Sequence, residues 1–351
     1  MSNPGLFFLS LSILVTVSFS GGKGDKPCVP LTAVFETEPV GSSEDAADDP
    51  CIFYNEKDPA ASVIIGTNKN RKKGGLGVYD LKGNLVSFAE EPAANNVDIR
   101  KGLKFKGKEI PVIAASSRHD NSVVIYTYHD DKKELELLAR APAGLREPYG
   151  LAMYHNPQKN RFYYIVNDKE GKVVQWEIMA SGDSLKFQKT AEFKVETQTE
   201  GCVVDDSTGF MYLGEEERGV WKINLLKTED YVLIDSVTGE GNLVADVEGI
   251  TLLYNKGKKG YLIVSSQGNT TYHIYERDGN NRHLGCFSIA DSEEGIDGTY
   301  DTDGIDVLRA RLNDDFTEGI FVAQDGDNSP ENQNFKYIRL GDILEKVIGK
   351  K

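Results

Sequence analysis

Short runs in which apolar and polar residues alternate recur along most of the chain, and Gly, Asn or Asp bounds most of them. Alternation with a period of two is typical of β-strands that are buried on one face. Apart from an apolar run near the N-terminus, only DILEKVIGK at 342–350 has the pattern of a helix. The sequence therefore predicts an all-β protein. Clear examples of the strand pattern are RFYYIVN at 161–167, KVVQWEI at 172–178, GFMYLGE at 209–215 and GIFVAQD at 319–325.

The aromatic residues of these segments return at a nearly constant interval. The positions Tyr79, Tyr126, Trp176, Trp221 and Tyr275 are separated by 47, 50, 45 and 54 residues. A period of about 50 residues with several strands per unit is typical of propeller blades. No linker long enough to separate two domains interrupts the pattern. Residues 21–351 are therefore predicted to form one domain, a six-bladed β-propeller.

An apolar run at residues 6–20, LFFLSLSILVTVSFS, precedes the polar sequence GGKGDK. The run is shorter than the roughly 20 residues that a membrane-spanning helix needs. Ser18 and Ser20 are small residues at the spacing of a signal-peptide cleavage site after Ser20. We interpret residues 1–20 as a signal peptide and expect a secreted or periplasmic protein. A retained membrane anchor is the alternative, because no Lys or Arg precedes the run.

The chain is acidic, with 55 Asp and Glu against 40 Lys and Arg and a net charge of −15. This charge disfavours binding to nucleic acids and anionic membranes, both of which require a basic protein surface. We expect a monomer that binds a small molecule. A polyanionic small molecule would need cations beside it, and acidic loops that hold Ca²⁺ are one means of binding them.

The four cysteines and five histidines do not have the spacing of a zinc site. We expect a disulfide between Cys28 and Cys51. Cys202 and Cys286 lie in apolar strand-like segments and are expected to be buried thiols. The histidines are expected to be surface imidazoles, and they are His119, His129, His155, His273 and His283.

Acidic and amide residues are concentrated in six patches of the sequence. The loops at one end of a propeller converge around the central channel, so patches that are distant in sequence can meet there. Oxygen-rich side chains with few His or Cys neighbours favour a hard cation of the Ca²⁺ type. The patches are DAADDP at 45–50, NNVD at 95–98, TQTEG at 197–201, GEEE at 214–217, ADVEG at 245–249 and IDGTYDTDGID at 296–306.

In this order, the patches closely resemble the β-propeller phytases, a family of calcium-dependent alkaline phytases. The resemblance extends from residue 45 to PENQNFK at 330–336 and includes EPYG at 147–150, SSQGN at 265–269 and FVAQDG at 321–326. It implies a six-bladed propeller that binds several structural and catalytic Ca²⁺ ions. The implied activity is that of a phosphoric monoester hydrolase of the 3-phytase type, which acts on myo-inositol hexakisphosphate (phytate) bound as a calcium complex.

The resemblance also assigns roles to individual residues. Carboxylates around a catalytic calcium cluster are expected at Asp45, Asp48, Glu200, Glu216, Asp246, Glu248, Asp297 and Asp303. A structural calcium would involve Asp49, Pro50, Asn95 and Val97. Contacts to substrate phosphate are expected from Lys69, Arg118, Tyr149 and Lys169. The residues expected to act most directly in catalysis are Asp48, Tyr149, Glu200 and Glu216.

A few positions depart from the pattern of this family. Ser117 stands where Asn is common, which changes one hydrogen-bonding group beside the phosphate-binding arginine. Gly214 replaces Ala before the run of three glutamates. That run leaves open whether Glu215 or Glu216 is the ligand, although alignment without a gap favours Glu216.

Motifs of a covalent nucleophile, such as GxSxG or a P-loop, are absent from the sequence. We therefore expect direct attack by a water that Ca²⁺ activates, with release of inorganic phosphate and lower inositol phosphates. Either Glu200 or Glu216 is expected to accept the proton. Two alternatives remain at this point: another calcium-dependent propeller hydrolase, such as a lactonase or phosphodiesterase, and a non-catalytic propeller that binds calcium and phosphate.

Overall fold

The computed structural model describes residues 27–255, 257 and 259–349. Its 25 strands form six sheets that are arranged as blades around a central channel. The prediction of a six-bladed β-propeller is thereby confirmed. The expected signal peptide, residues 1–20, lies outside the described residues. None of the helices in the described ranges combines the length and apolar character that a membrane crossing requires.

Two short strands, β1 (Val29–Thr32) and β2 (Phe35–Glu36), precede the first blade. The first three blades each consist of four consecutive antiparallel strands. The first blade contains β3 (Ala47–Phe53), β4 (Val63–Asn68), β5 (Gly75–Tyr79) and β6 (Leu85–Glu90). The second contains β7 (Ala94–Phe105), β8 (Lys108–Ser117), β9 (Ser122–His129) and β10 (Glu134–Pro142). The third contains β11 (Leu151–Asn156), β12 (Arg161–Asn167), β13 (Lys172–Ser181) and β14 (Ser184–Lys194).

The last three blades follow the same order, with the N-terminal strands added to two of them. The fourth contains β15 (Thr199–Asp205), β16 (Phe210–Glu215), β17 (Gly219–Asn224) and β18 (Tyr231–Ser236). The fifth contains β19 (Val247–Tyr254), β20 (Gly260–Ser266), β21 (Thr271–Glu276) and β22 (His283–Ala290), extended by β1. The sixth contains β23 (Ile305–Leu308), β24 (Ile320–Asp325) and β25 (Asn334–Arg339), completed by β2.

Helical structure is limited to short turns in the described part of the chain. Turns of 3₁₀-helix lie at Pro59–Ala61 and Gln267–Asn269. The helix predicted at 342–350 is present as α1 (Leu340–Asp342), which continues into a π-helical turn at Ile343–Val347. Gly349 follows with a φ of 73°, a left-handed conformation that ends a helix at little cost in glycine.

The ring closes because an N-terminal strand completes the last blade. β2 pairs with β25 in antiparallel register, so the beginning and the end of the described chain share one sheet. The inner strand of each blade contacts the inner strand of the next, from β3 around to β23 and back to β3. This closure fixes the positions of six strand starts around one channel.

Apolar residues from the two facing sheets fill the space between each pair of neighbouring blades. Between the second and third blades, Val112 and Ile125 pack with Tyr164 and Val174, and all four are inaccessible or nearly so. Five further clusters of this kind occupy the other junctions among the described residues. Burial of one such side chain contributes about 1.5–3 kcal/mol, so the alternating pattern of the sequence accounts for blade packing.

The disulfide joins Cys28 to Cys286, so the expected bridge between Cys28 and Cys51 is wrong. The reason is strand pairing: β1 runs parallel to β22 with Val29 opposite Phe287, which places Cys28 beside Cys286 at a Cα separation of 4.6 Å. Cys51 instead lies buried in β3 as a free thiol. Cys202 is a buried free thiol, as expected, whereas Cys286 is not.

The expectation of surface histidines is wrong for His273, whose exposed fraction is only 4%. This residue lies in β21, where the strand outside it, β22, covers one side. Burial, with a smaller contribution from the neighbouring His283, lowers the pKa of His273 to about 4. The imidazole is therefore neutral at physiological pH.

Candidate functional site

Each blade starts with its inner strand, and the six strand starts surround one end of the channel, which we call the mouth. Backbone hydrogen bonds of 3.0 Å link neighbouring starts, from the amide of Gly249 to the carbonyl of Asp303 and from Gly304 to Asp48. Distant sequence patches are brought together in this way. One residue per blade at these starts forms what we call the mouth ring: Asp48, Asn95, Tyr149, Glu200, Glu248 and Asp303.

A β-bulge presents the mouth-ring residue in four of the six blades. In the first blade, three steps along β3 from Ala47 to Pro50 face only two steps on β4, from Asn68 to Gly66. The same irregularity recurs in the second, fourth and fifth blades. A bulge redirects a side chain that regular pleating would point elsewhere, and bulges are frequent beside active sites. The mouth-ring residues within these bulges are Asp48, Asn95, Glu200 and Glu248.

Glycines directly after the mouth-ring residues let neighbouring blades approach closely. A Cβ atom on Gly150 would lie 1.9 Å from the carbonyl oxygen of Glu200, and one on Gly201 would lie 1.9 Å from that of Glu248. Any other residue would have to push the blades apart at these two positions. The motifs EPYG, TQTEG and ADVEG thus each combine a side chain of the mouth ring with a glycine that the close approach of the next blade requires.

Three buried glutamates form the centre of the site. One carboxylate oxygen from each of Glu200, Glu216 and Glu248 lies within 4.8 Å of the others. Burial raises the pKa of all three groups. The charges of Asp48 and Asp303 raise it further for Glu200, and those of Glu200 and Asp303 raise it further for Glu248. For Glu216 the pKa reaches about 7. Without a bound cation, the cluster therefore resists full ionisation.

Lys69 is the main protein cation within this acidic group. Its ammonium nitrogen lies 2.8 Å from Asp45, 3.1 Å from Asp48 and 3.0 Å from Asp303. Burial alone would lower the pKa of Lys69, but the surrounding carboxylates, led by Asp48 and Asp303, outweigh it and raise the pKa. Burial likewise raises the pKa of Asp303 to about 7 despite Lys69. One lysine does not neutralise so many carboxylates.

The unpaired oxygens of the site fit a hard cation. Within the described residues, both carboxylate oxygens of Asp48 and Oε2 of Glu248 are buried without a hydrogen-bond donor. Lys69 compensates Asp48 by charge but not with hydrogen-bond geometry. Buried carboxylates without donors are costly unless a cation binds them. An all-oxygen donor set matches ions of the Ca²⁺ or Mg²⁺ type.

Tyr149 connects the carboxylates to two further cations. The Lys169 ammonium lies 4.2 Å and the Arg118 guanidinium 5.6 Å from the centroid of its ring. Burial, and then the charge of Glu200, raises the pKa of Tyr149, so its hydroxyl stays protonated. Arg118 Nε is buried without a partner among the described residues, so it can donate to a bound anion. Phosphate oxygens are natural acceptors for such a guanidinium.

The structure distinguishes the glutamates of the GEEE patch. Glu215 accepts hydrogen bonds from Thr197 N at 2.6 Å and from Trp221 Nε1 at 2.7 Å, which hold it inside the fourth blade. Glu216 faces the cluster and accepts a hydrogen bond of 2.7 Å from Gln198 Nε2. This agrees with the ungapped alignment, which favoured Glu216 as the ligand.

Two glutamines belong to the site although the sequence analysis gave them no role. Gln198 orients Glu216, and Gln267 donates to Asp303 Oδ1 at 2.8 Å. Gln198 is part of the TQTEG patch and Gln267 of SSQGN, so both stood in motifs that were recognised. For Gln267, the feature of the sequence that could have indicated a role is its position directly after the second strand of its blade, which Lys69 also occupies in the first blade.

The residues expected at a structural calcium lie partly together, just below the mouth. Asp49 Oδ2 accepts a 2.9 Å hydrogen bond from Val97 N, and Asp49, Pro50 and Val97 line a cavity of about 40 Å³ in the channel. Asn95 faces elsewhere, because its Nδ2 donates to Glu200 Oε1 at 2.6 Å. The same cavity contains Asp306, which the sequence analysis gave no role and whose pKa burial raises to about 7.

Two expected calcium ligands lie outside the central cluster. Asp246 is partly exposed beside Glu216, and its negative charge contributes to the raised pKa of Glu216. Asp297 instead forms an ion pair with the buried Lys336, which also contacts Glu36. No contact in the described part of the chain joins Asp297 to the three glutamates of the centre.

The predicted substrate-binding cations follow the second strands of the first three blades. Lys69 and Arg118 come directly after β4 and β8, and Lys169 comes two residues after β12. Ser117, a departure from the family pattern, donates a hydrogen bond of 2.8 Å to Glu91. The cations therefore follow one another around the mouth, and Glu216 occupies the equivalent position of the fourth blade, next to Lys169.

Comparisons of the sequence with known proteins identify a family and a relative. A family model described as Phytase matches residues 6–351. The chain is 42% identical over 330 residues to the 3-phytase of Bacillus subtilis (strain 168), which covers 90% of this chain and 85% of that protein. Among solved structures, a protein of unknown function from Desulfotomaculum acetoxidans DSM 771 matches with a TM-score of 0.47 at 13% identity, over 68% of this chain and 71% of that one.

The match to the family model includes every residue of the mouth. The family model includes all six mouth-ring positions, the three predicted phosphate-binding cations and the glutamate cluster. These groups meet at one end of one channel, where buried carboxylates face exposed or half-buried cations. The chain belongs to the phytase family.

Proposed function

We propose that this chain is a secreted, calcium-dependent, monomeric phytase that acts on phytate bound as a calcium complex. The family match identifies the reaction as hydrolysis of a phosphoric monoester of phytate. One observation carries the calcium requirement: three buried glutamates have carboxylate oxygens within 4.8 Å of one another. Because like charges so close in a buried site repel strongly, the cluster needs bound cations in order to be fully ionised.

The residues that would hold the ions are those with buried, unpaired oxygens, together with the mouth-ring carboxylates near them. When bound, Ca²⁺ would neutralise phosphate oxygens and lower the pKa of a nearby water. The ligands on the catalytic side would be Asp45, Asp48, Glu200, Glu216, Asp246, Glu248 and Asp303, with Asp49, Pro50 and Val97 around a structural ion.

The cations bind and orient the substrate. Arg118 offers a planar guanidinium whose Nε has no partner within residues 27–255, 257 and 259–349, and this group suits two oxygens of one phosphate. Lys169, over the ring of Tyr149 at 4.2 Å, contributes a mobile point charge. Lys69 lies deeper, between Asp48 and Asp303, and would meet the phosphate that enters furthest. Tyr149 keeps its proton and can donate it in a hydrogen bond to a phosphate oxygen.

Glu216 is the better placed of the two glutamates to accept the proton from the attacking water. Glu200 is fully enclosed and its Oε1 is held by Asn95 at 2.6 Å. Glu216 lies next to the charges of Asp246 and Lys169 at the open side, and Gln198 fixes only one of its oxygens. With a pKa of about 7, Glu216 exchanges protons readily at neutral pH.

The decisive experiment measures phosphate release from phytate by the purified chain with Ca²⁺ and after a chelator has removed it. We expect activity to be lost on chelation and restored by added Ca²⁺. In Glu216→Gln the rate should fall by about 100-fold or more, while Glu294→Gln, a matched change at an exposed glutamate, should leave it unchanged. Full activity in excess chelator would exclude calcium dependence without affecting the family assignment.

Secretion is proposed from the N-terminal sequence and is tested by a separate measurement. Residues 1–20 are proposed to be removed as a signal peptide, and residues 21–351 to form the single mature domain. The disulfide between Cys28 and Cys286 is compatible with an oxidising compartment. N-terminal sequencing of the protein recovered from the medium or periplasm should give Gly21 as the first residue. An intact N-terminus on a membrane-bound protein would support the anchor instead.

A further inference from the structure

The disulfide and two histidines come together on the outer strands of the fifth blade. β1, β22 and β21 are neighbours in that order. Cys28 is adjacent to Cys286 across the first pair of strands, and Cys286 is directly opposite His273 across the second. Residues that face each other in this way lie on the same side of a sheet. His283 lies opposite Tyr275, two residues from His273, so it shares that side as well.

The distances are those of a metal-binding group. One ligand atom from each of Cys28, His273 and Cys286 lies within 4.8 Å of the others. His273 Nδ1 is 3.1 Å from His283 Nε2, and its Nε2 is 3.1 Å from Thr271 Oγ1. Such a second contact fixes the ring of a ligating histidine and strengthens its binding to metal. A cavity of about 470 Å³ opens on the four side chains and provides a path for an ion.

We propose that reduction of the Cys28–Cys286 disulfide turns this corner into a binding site for a zinc-type divalent cation, with His273 as the third ligand and His283 beside it. While the disulfide is intact, its sulfurs carry no negative charge and bind metal poorly. A phosphine reductant breaks the S–S bond, is itself oxidised to the phosphine oxide with oxygen from water, and leaves two thiols. The cation then replaces the two thiol protons, which are released to solvent.

In the oxidised and the reduced chain, different bonds would attach β1 to the fifth blade. In the oxidised chain a covalent bridge spans 258 residues of sequence between Cys28 and Cys286. In the reduced chain, two thiolates and an imidazole around one ion would join the same strands. Sulfur and nitrogen ligands select zinc-type ions, whereas the carboxylates of the mouth select calcium, so the two sites do not compete. The proposal is independent of the calcium mechanism proposed for the mouth.

The test titrates the full chain with Cd²⁺, a zinc analogue whose bond to thiolate absorbs in the ultraviolet, before and after phosphine reduction. We expect one Cd²⁺ per chain with this absorption only in the reduced protein, and release of two protons per ion. His273→Gln should weaken the binding by about 10-fold or more. His129→Gln is the matched control at a half-exposed histidine and should bind Cd²⁺ like the parent chain.

Two further variants separate this site from the other thiols. Cys28→Ser keeps the thiols of Cys51, Cys202 and Cys286 and should lose the absorption, whether or not reductant is present. Phytate hydrolysis with Ca²⁺ should be unchanged in His273→Gln, which shows that this variant is folded. The proposal is overturned if Cd²⁺ binds the oxidised chain equally, if Cys28→Ser keeps the absorption, or if folded His273→Gln binds as tightly as the parent.

Discussion

The two halves of the mouth use two sets of repeated backbone positions, the starts of the inner strands and the residues after the second strands, and they carry opposite charge. On one side, the fourth to sixth blades supply Glu200, Glu248 and Asp303 to the mouth ring, and these side chains are buried. On the other side, the first three blades place Lys69, Arg118 and Lys169 after their second strands. The scaffold repeats from blade to blade, and the residues after the second strands change from cations in the first three blades to Glu216 and Gln267 in the fourth and fifth. A nearly symmetric ring of blades thus forms a mouth with an acidic half and a basic half.

Burial also differs between the halves, and it changes what each half does. The carboxylates are enclosed, and burial raises the pKa of Glu200, Glu248 and Asp303. Arg118 and Lys169 are half-buried and exposed, respectively, and remain close to solvent. In the acidic half, the carboxylates therefore repel one another when ionised, and bound cations reduce this repulsion. In the basic half, the side chains near solvent can change conformation when substrate binds. Changes in the acidic half should affect both catalysis and stability, and changes in the basic half mainly substrate affinity.

The largest effect is expected when the acidic half loses its central charge. Glu200→Gln keeps the shape of the side chain but removes the carboxylate that contacts Asn95 and lies within 4.8 Å of Glu216 and Glu248. We expect phosphate release from phytate at saturating Ca²⁺ to fall by about 100-fold or more. The melting temperature in chelator should rise, because one of the repelling charges is gone.

This opposite response distinguishes a site carboxylate from a structural one. Glu215 accepts three hydrogen bonds, two from Thr197 and one from Trp221, so Glu215→Gln should lower the melting temperature in chelator and in Ca²⁺ alike. If Glu200→Gln also lowered both melting temperatures, its carboxylate would be a structural group, and the contrast between the two halves would not hold at its centre.

The next largest effect concerns pH and the metal-free chain. Burial raises the pKa of Glu216 and Asp303 to about 7, above the values of the unfolded chain. Between about pH 4.5 and pH 7 the folded chain therefore holds protons that the unfolded chain has released. Folding stability should fall as pH rises through this window, by about 5 °C or more in melting temperature between pH 5.5 and pH 8 with chelator present.

Calcium should reverse this trend, since ion binding favours the ionised carboxylates that high pH produces. Melting curves at both pH values with excess Ca²⁺ provide the comparison. An equal fall in melting temperature with and without Ca²⁺ would mean that the raised pKa values of Glu216 and Asp303 are unrelated to metal binding. Activity should likewise be greater at neutral to mildly alkaline pH than in acid.

A smaller effect is expected in the basic half. Arg118→Lys keeps the positive charge but loses the planar group whose Nε is buried without a partner in the described part of the chain. We expect the KM for phytate to rise by about 10-fold while kcat changes by less than about 3-fold. Arg282→Lys, at an arginine whose side chain is 69% exposed, is the matched control. A loss confined to kcat would place Arg118 with the catalytic groups rather than with the substrate contacts.

Much of this contrast could be predicted from sequence because its signals are local. Alternation indicated the strands, and words such as TQTEG and ADVEG carried both the acidic residue and the glycine that close packing requires. The Cys28–Cys286 bridge could not be predicted, because it depends on a parallel pairing of β1 with a strand more than 250 residues away. No property of the segment around Cys28 specifies that β1 joins the fifth blade rather than the first.

The position of Asp297 was hidden for a related reason. It stands six residues before Asp303 in one acidic run, and the resemblance to the phytase family assigned both residues to the catalytic calcium cluster. In the structure, Asp297 pairs with Lys336 in the sixth blade. Lys336 is fully buried beside Asp325 at 3.2 Å, and neither residue was singled out from the sequence. The burial of a lysine cannot be predicted from the sequence unless the acidic residues that pair with it are known.

The smallest effect on activity is therefore expected from Asp297→Asn. This change removes one of the carboxylates around Lys336 but none of those within the glutamate cluster. We expect kcat for phytate at saturating Ca²⁺ to stay within about 3-fold of the parent, while the melting temperature falls because a buried ammonium loses a charged partner. Glu36→Gln, which alters the same lysine from β2, should behave alike. A loss of about 100-fold in kcat for Asp297→Asn would instead place this aspartate with Glu200 and extend the acidic half to the segment between β22 and β23.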